Sequence, residues 1–413
     1  MANKLEFMNK ISILDKLNLL LLAILPITLL LGSALINSSI ILFDIFFLIK
    51  IIKEKKFNVF KDQIFYILII FWIYLIINSL LGIDYTNSLS RSLGFFRFII
   101  LAFGIKYYNS EYNDLFLNRI IRFWSLIFIV VSIDLVFQSI FGYNITGYIS
   151  PDPSRLSSFL GEELKIGGYY FGFILITLSF LYYCYKNKYL LYVGLAIFLI
   201  ISLVIGERSN FLKICFIVFL FIIFFEKENL KKKIIYLFFI LAGLSLIISL
   251  NENSKQRFWE MLIKPIIYTK DISVIYKHSP YGAHYDAALK IFYENKITGV
   301  GLKNFRMISA DKRFENKEFQ YTDSRFSTHP HQTHFEILAE TGVIGYMLFL
   351  LLFYMSIKFS LKEFKRSNNP FQLSSTLFII SSLIPFLPSG SFFTTYGATI
   401  FWINFGILLY KKK

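Results

Sequence analysis

The chain has 413 residues, 56% of them apolar and 17% charged, against about 45–50% and 25% in soluble domains. Its 48 Phe and 26 Tyr exceed what one core can hide. A soluble fold, a disordered chain and a secreted disulfide scaffold are therefore excluded, and a bilayer is the natural solvent. The net charge of +16 can signal nucleic-acid binding, but in a membrane chain it marks cytoplasmic loops, so no nucleic-acid partner is expected.

In chain order, Lys4, Lys10 and Lys16 precede an apolar stretch, as in a signal peptide. Further apolar runs follow, so the stretch reads as an uncleaved first span. Runs near 20 residues cross a bilayer as helices, which satisfy their own backbone. Spans are predicted at 17–32, 34–52, 63–81, 93–107, 120–141, 167–184, 189–205, 210–225, 234–250, 342–359, 371–387 and 395–409. With the N-terminus inside, the inner segments hold 24 Lys and Arg and the short outer loops hold 4. That ratio predicts two cytoplasmic termini. The chain therefore reads as an all-α polytopic membrane protein in three parts: spans one to nine (1–250), a large outer loop (251–341) and spans ten to twelve (342–413). In the loop, Tyr285, Ala288, Leu289 and Phe292 share one helical face, predicting an amphipathic helix on the membrane surface. Cys184 and Cys215 lie in apolar runs and read as inert buried thiols.

All five histidines, His278, His284, His329, His331 and His334, fall in the outer loop. Imidazole titrates near neutral pH and serves as acid, base or ligand. Zinc is one reading of His331, His334 and Glu336 with Asp323, but there is no HExxH and no cysteine ligand. No metal is assigned. A general base at the membrane surface is the preferred reading, with solvated loop histidines as the bland one. Gly299-Val300-Gly301 reads as a tight turn whose amides, with Lys303 and Arg306, can also cradle an anion. Gly342 and Gly345 open the tenth span, where small residues permit close helix approach. Arg208, at an outer membrane edge, either snorkels or pairs with Glu207, or grips a phosphate. Arg155 is a second candidate phosphate contact. Asp44, Arg97 and Asp134 are ionisable groups in or near spans, expected to face the bundle interior or a cavity, with Asp44 and Arg97 a possible pair.

These residues resemble the bacterial O-antigen ligase and polymerase superfamily. Its H-[N/S/Q]-x9-G-x-x-G signature is matched by His331-Gln332, nine residues, then Gly342-Val343-Ile344-Gly345. Its R-x3-L is matched by Arg208 to Leu212, and Gly299 to Phe305 resembles its G-x-G-x-x-N-F. Two departures stand out: Tyr346 replaces a frequent Thr, and Tyr281 and His284 stand where ligases usually carry another arginine. The resemblance implies a C-type glycosyltransferase fold, a donor glycan on undecaprenyl pyrophosphate, inversion at the anomeric carbon, and neither metal nor cofactor. On this reading His331 is the base and Arg208 stabilises the leaving group. Arg306, Arg257, Arg155, Lys303 and His284 are candidate donor contacts, and Gln332, His329, Glu340, Gly299, Gly301, Gly342 and Gly345 support them. His329 or Glu340 is expected to orient His331. The acceptor is lipid A–core for a ligase in the inner membrane, with its site in the periplasm, or a second lipid-linked repeat unit for a polymerase. A protein-directed transferase, a lipid or glycan transporter and an assembly or sensor protein are the other readings.

Overall fold

The computed structural model describes residues 12–225, 230–269 and 271–412. Lys4 and Lys10, which precede the first span, and Lys227, in a connection predicted to be an inner one, lie outside the described residues. Nine helices precede the large loop: α1 (Ile13–Leu31), α2 (Ser33–Lys53), α3 (Gln63–Leu80), α4 (Tyr85–Glu111), α5 (Asn113–Phe141), α6 (Ile166–Tyr185), α7 (Lys188–Val204), α8 (Arg208–Phe225) and α9 (Leu230–Leu250). The loop contributes α10 (Lys255–Ile263, wound as a wide π-type helix), α11 (Lys264–Thr269), α12 (Ile272–Lys277) and α13 (Pro280–Glu294). Helices α14 (Thr333–Ser367), α15 (Pro370–Ser382) and α16 (Thr395–Leu408) close the chain. No strand occurs among the described residues.

A helix stands at each of the twelve predicted spans. Eight of them (α1 to α6, α8 and α14) are long and apolar enough to cross a membrane. Helices α7 and α16, and the Leu241–Leu250 part of α9, are shorter apolar helices. The outermost helices expose Ile41, Ile45, Ile70, Ile73, Ile133 and Val193, side chains that lipid rather than water would cover. The molecule is an all-α, multi-pass membrane protein. The α1–α2 boundary falls at Gly32, whose φ of 117° breaks the helix where Gly alone bears no steric cost.

Three of the boundaries that differ from expectation shape the site, each for a local reason. Helix α4 starts eight residues earlier than the predicted span, at Tyr85, capped by Asp84. Its added turns carry Arg91 outward. Helix α15 ends at Ser382 rather than continuing to 387. Pro385 and Pro388 lack the amide proton a helix needs, and 383–394 runs irregularly. Such backbone is tolerated at membrane depth only inside protein or beside a cavity, and this segment lines one. Helix α14 begins nine residues before the predicted span and kinks at Gly342 (φ 64°, ψ −168°).

The kink is a joint between the two glycine motifs. It frees backbone groups, and the 296–301 turn satisfies them. Val300 and Gly301 amides donate to the carbonyls of Ala339 (3.1 Å) and Glu340 (2.9 Å). The Val343 amide donates to Lys296 O at 2.8 Å. A Cβ on Gly342 would stand 2.3 Å from Ile297 O, and one on Gly299 2.5 Å from Glu340 C. The glycine turn is therefore a packing element, and its amides are not available to an anion. Gly342→Ala meets both the backbone clash and the strained φ. We expect it to cost at least about 2 kcal/mol, read as a lowered Tm in detergent; an unchanged Tm would contradict the joint.

The loop has its own small core of Ala287, Ala288, Ile291, Val300, Phe305, Ile308, Phe314 and Ala339. Helix α13 is thus packed on protein through Ala287, Ala288 and Ile291, and not laid on the membrane through Tyr285–Phe292 as the periodicity suggested. The exposed apolar side chains lie instead on α10 and α11, at Trp259, Met261, Ile266 and Ile267. The thiols also differ from expectation: Cys184 is exposed and Cys215 half-buried, both free.

Candidate active site

A cavity of about 400 Å³ opens between the loop and the adjoining ends of α6, α8 and α16. Its walls include His329 and His331 from the loop, Glu207, Ser209 and Lys213 around the start of α8, and Ser389 and Ser391 from the irregular segment.

The sequence positions His331 tightly. Gln332 is the N-cap of α14: its Oε1 accepts from the amides of His334 (2.6 Å) and Phe335 (3.2 Å), and its amide group donates to Ile384 O. One residue earlier, His331 takes a left-handed φ of 54°, a conformation that costs energy in a non-glycine residue and persists where surroundings impose it. The Ser389 amide donates to His331 O at 2.8 Å, so the irregular segment helps impose it. Gln332→Ala removes a buried cap and should cost about 1–2 kcal/mol. The check is a thermal melt together with a fall in activity that Gln332→Asn, which can cap, partly restores.

Three of the five histidines converge. Ring centroids lie 4.1 Å apart for His329–His331 and 4.9 Å for His284–His331, with Tyr281 6.0 Å from His331. Burial lowers all three imidazoles: His331 falls below its ordinary value, His284 to about 4 with His331 as a further cause, and His329 to about 3 with His331 next in importance. The cluster is therefore neutral at pH 7, which leaves His331 free to accept a proton. Its Nε2 lies 3.2 Å from Ser327 Oγ. Activity that needs neutral His331 should hold at pH 7 and fall on acidification with a midpoint below 6.5. A rate profile with its acid limb above 6.5 would contradict this.

The remaining histidines are elsewhere. His334 is structural: its Nε2 donates to Leu383 O (2.8 Å) and its Nδ1 faces the Tyr346 hydroxyl (3.1 Å). Tyr346, one of the two departures from the family pattern, thus has a local task. His278 is exposed. Glu340 does not reach His331; it accepts from the amides of Lys303 and Phe305. The His329 ring lies tilted against that of His331, and Ser327 is the only hydrogen-bond partner of the His331 ring among the described residues. No group of His, Cys, Asp or Glu among the described residues converges as a metal cage.

The cations divide into two groups. On one side, Arg208 donates to Met261 O (3.1 Å); its neighbours Glu207 and Ser209 line the cavity, and Arg208 itself does not. Burial, then Arg208 and Arg155, push the Arg257 guanidinium below its ordinary value, so the three form one positive cluster. Arg155 donates to Leu164 O (2.6 Å) and lies 3.4 Å from Glu207. Arg257 is held by Ser154 (3.2 Å) and Asp152 (3.6 Å), and Phe258 beside it packs on Phe211 of α8 at 4.9 Å. Lys303 and Arg306 stand on the far side of His329, around a separate chamber.

Several residues of the cavity were invisible as site residues in the sequence. Glu207, whose carboxyl burial pushes up, and Lys213, which donates to Pro388 O (2.8 Å), are two. A lysine inside an apolar run was the available signal for Lys213. Ser389 and Ser391 carried no signal. Arg97 and Asp44 make no ion pair with each other: Arg97 donates to Gly94 O (2.8 Å) and covers the Phe98 ring. Asp134 accepts from the Ile145 amide (2.7 Å) and from Ser158, fixing the outer loop that carries Arg155.

No curated protein matches the chain. The family model described as O-antigen ligase matches residues 167–350, a stretch that runs from α6 through α8, the loop and both glycine motifs. Over that stretch the chain is similar to the O-antigen ligase family, and its all-α multi-pass fold accords with that likeness.

Proposed function

We propose that the protein transfers a glycan from undecaprenyl pyrophosphate to an acceptor hydroxyl, joining O-antigen to lipid A–core. The observation that carries this reading is His331 on the wall of a cavity that also holds Glu207 and Ser209, the chain neighbours of Arg208, with Arg155 3.4 Å from Glu207. The acceptor hydroxyl attacks the anomeric carbon and His331 takes its proton. The bond from that carbon to the pyrophosphate oxygen breaks, and its electron pair leaves with undecaprenyl pyrophosphate. The arginines stabilise the charge that develops there, so no metal is called on. Attack opposite the leaving group inverts the anomeric carbon. Arg155 and Arg257 each face a carboxylate, Glu207 and Asp152, so Arg208, which makes no ion pair among the described residues, is the guanidinium left to meet a pyrophosphate. Confining a lipid-linked donor to the bilayer plane lowers the entropic cost of encounter. In this reading both termini are cytoplasmic, the membrane is the bacterial inner membrane, and the cavity faces the periplasm. Residue Tyr346 and the missing loop arginine favour a second reading, a polymerase that extends lipid-linked repeat units. Purified protein with labelled donor, offered lipid A–core and lipid-linked repeat units in turn, separates the two. Transfer to neither acceptor would reject both.

A further inference from the structure

Behind His329 lies a second chamber of about 70 Å³, lined by Arg91 of α4, Lys303 and Arg306, and by Glu336 and Glu340 of α14. It is too small for a sugar ring. His329 and Ser391 border both this chamber and the main cavity, so a molecule in the large space can extend a substituent into the small one.

Its charges make no close ion pair with one another. Among the described residues, none of the three cations lies within ion-pair distance of Glu336 or Glu340. Both carboxylates are buried, at 2% and 1% exposed, and accept elsewhere. Glu336 takes bonds from Ser391 and the Phe392 amide (2.7 Å), and Glu340 from the Phe305 amide (3.3 Å). Arg91 gives one donor to Phe393 O (2.7 Å). Arg306 donates through one terminal nitrogen to Thr328 O (3.5 Å) and keeps a buried Nε without a partner. No hydrogen bond of the Lys303 ammonium occurs among the described residues. Lys303 also holds a left-handed φ of 61°, as His331 does. Burial, then Arg91 and Arg306, lower the Lys303 ammonium, and Glu340 opposes them. The chamber therefore carries surplus positive potential and unused donors. Half-buried cations that face no close carboxylate are costly, and one oxyanion offsets that cost.

We propose that this chamber is a subsite for a single oxyanion, a carboxylate or phosphate monoester carried by the glycan that reacts in the main cavity. The substrate part of this inference rests on the glycosyltransferase reading above; the anion site does not. Lys303 and Arg306 are then assigned to this subsite and not to the donor's pyrophosphate.

The test uses the full chain in nanodiscs and inorganic phosphate as the probe, followed by titration calorimetry. Saturable binding is expected in the wild type and in Arg208→Ala. Lys303→Gln and Arg306→Gln should each weaken it by at least about tenfold, with Arg306→Lys intermediate and the melting temperatures near wild type. Methyl glucuronide should displace the phosphate and methyl glucoside should not. No saturable binding in the wild type, or wild-type binding by both Gln variants, would overturn the site. Loss of binding in Arg208→Ala alone would assign the phosphate to the arginine cluster instead. Phosphate binding that the uronide cannot displace would overturn the sugar-borne substituent in favour of a phosphate of the leaving group. Since binding is read without turnover, failure of the transferase reading would show separately, in the acceptor assay.

Discussion

His331→Asn is expected to lower glycan transfer by about 10²–10⁴-fold, the range for losing a general base, with the membrane level and melting temperature retained. Asn is the informative replacement because it tolerates the left-handed backbone better than most residues and cannot accept the proton at neutral pH. With His331 at φ 54°, Ala adds backbone strain to the loss of the imidazole and mixes two effects. A residual rate that no longer falls on acidification below pH 6.5 would mark the loss of the titrating group. Transfer at wild-type rates by His331→Asn would remove this residue from the chemistry. His329→Asn provides the contrast: its ring, held neutral to about pH 3, lies tilted against that of His331, so a smaller loss is expected, with a shift of the acid limb.

Arg208→Ala should cost about 10²–10³-fold in kcat, the scale for removing one preorganised stabiliser of a developing anion. Arg208→Lys keeps the charge and loses the fork, and should recover only part of the rate. The loss should appear in kcat more than in acceptor KM, because charge grows on the pyrophosphate only as its bond breaks. Arg257→Ala and Arg155→Ala should show the same sign. Arg155→Ala also releases Glu207 and Leu164, so its melting temperature must be measured beside its rate. If Arg208→Ala transfers normally while Lys303→Gln and Arg306→Gln lose kcat, the two cation groups exchange roles.

The helices were legible because lipid imposes a simple rule on composition: an apolar run of sufficient length is a span. That rule found a helix at each of the twelve positions, eight of them long and apolar enough to cross a membrane. It erred at ends, where the deciding interactions are local or tertiary. Asp84 caps α4 early, and Pro385 and Pro388 stop α15. The amphipathic stripe of α13 was also real, but periodicity does not say what covers a face. Here the loop core of Ala287, Ala288 and Ile291 does so.

By itself the sequence determined the membrane class, the separation of a large polar loop, and the candidates His331 and Arg208 through their motifs. These follow from composition and short spacing, which a linear chain displays openly. Only the tertiary structure decided which histidines meet, with His284 beside His331 and His334 turned to Tyr346. It also placed Ser389 and Ser391 in the cavity, made the glycine turn a joint for the α14 kink, and split the cations into two groups. Each of those outcomes depends on contacts between residues tens to hundreds of positions apart, and no local periodicity encodes them.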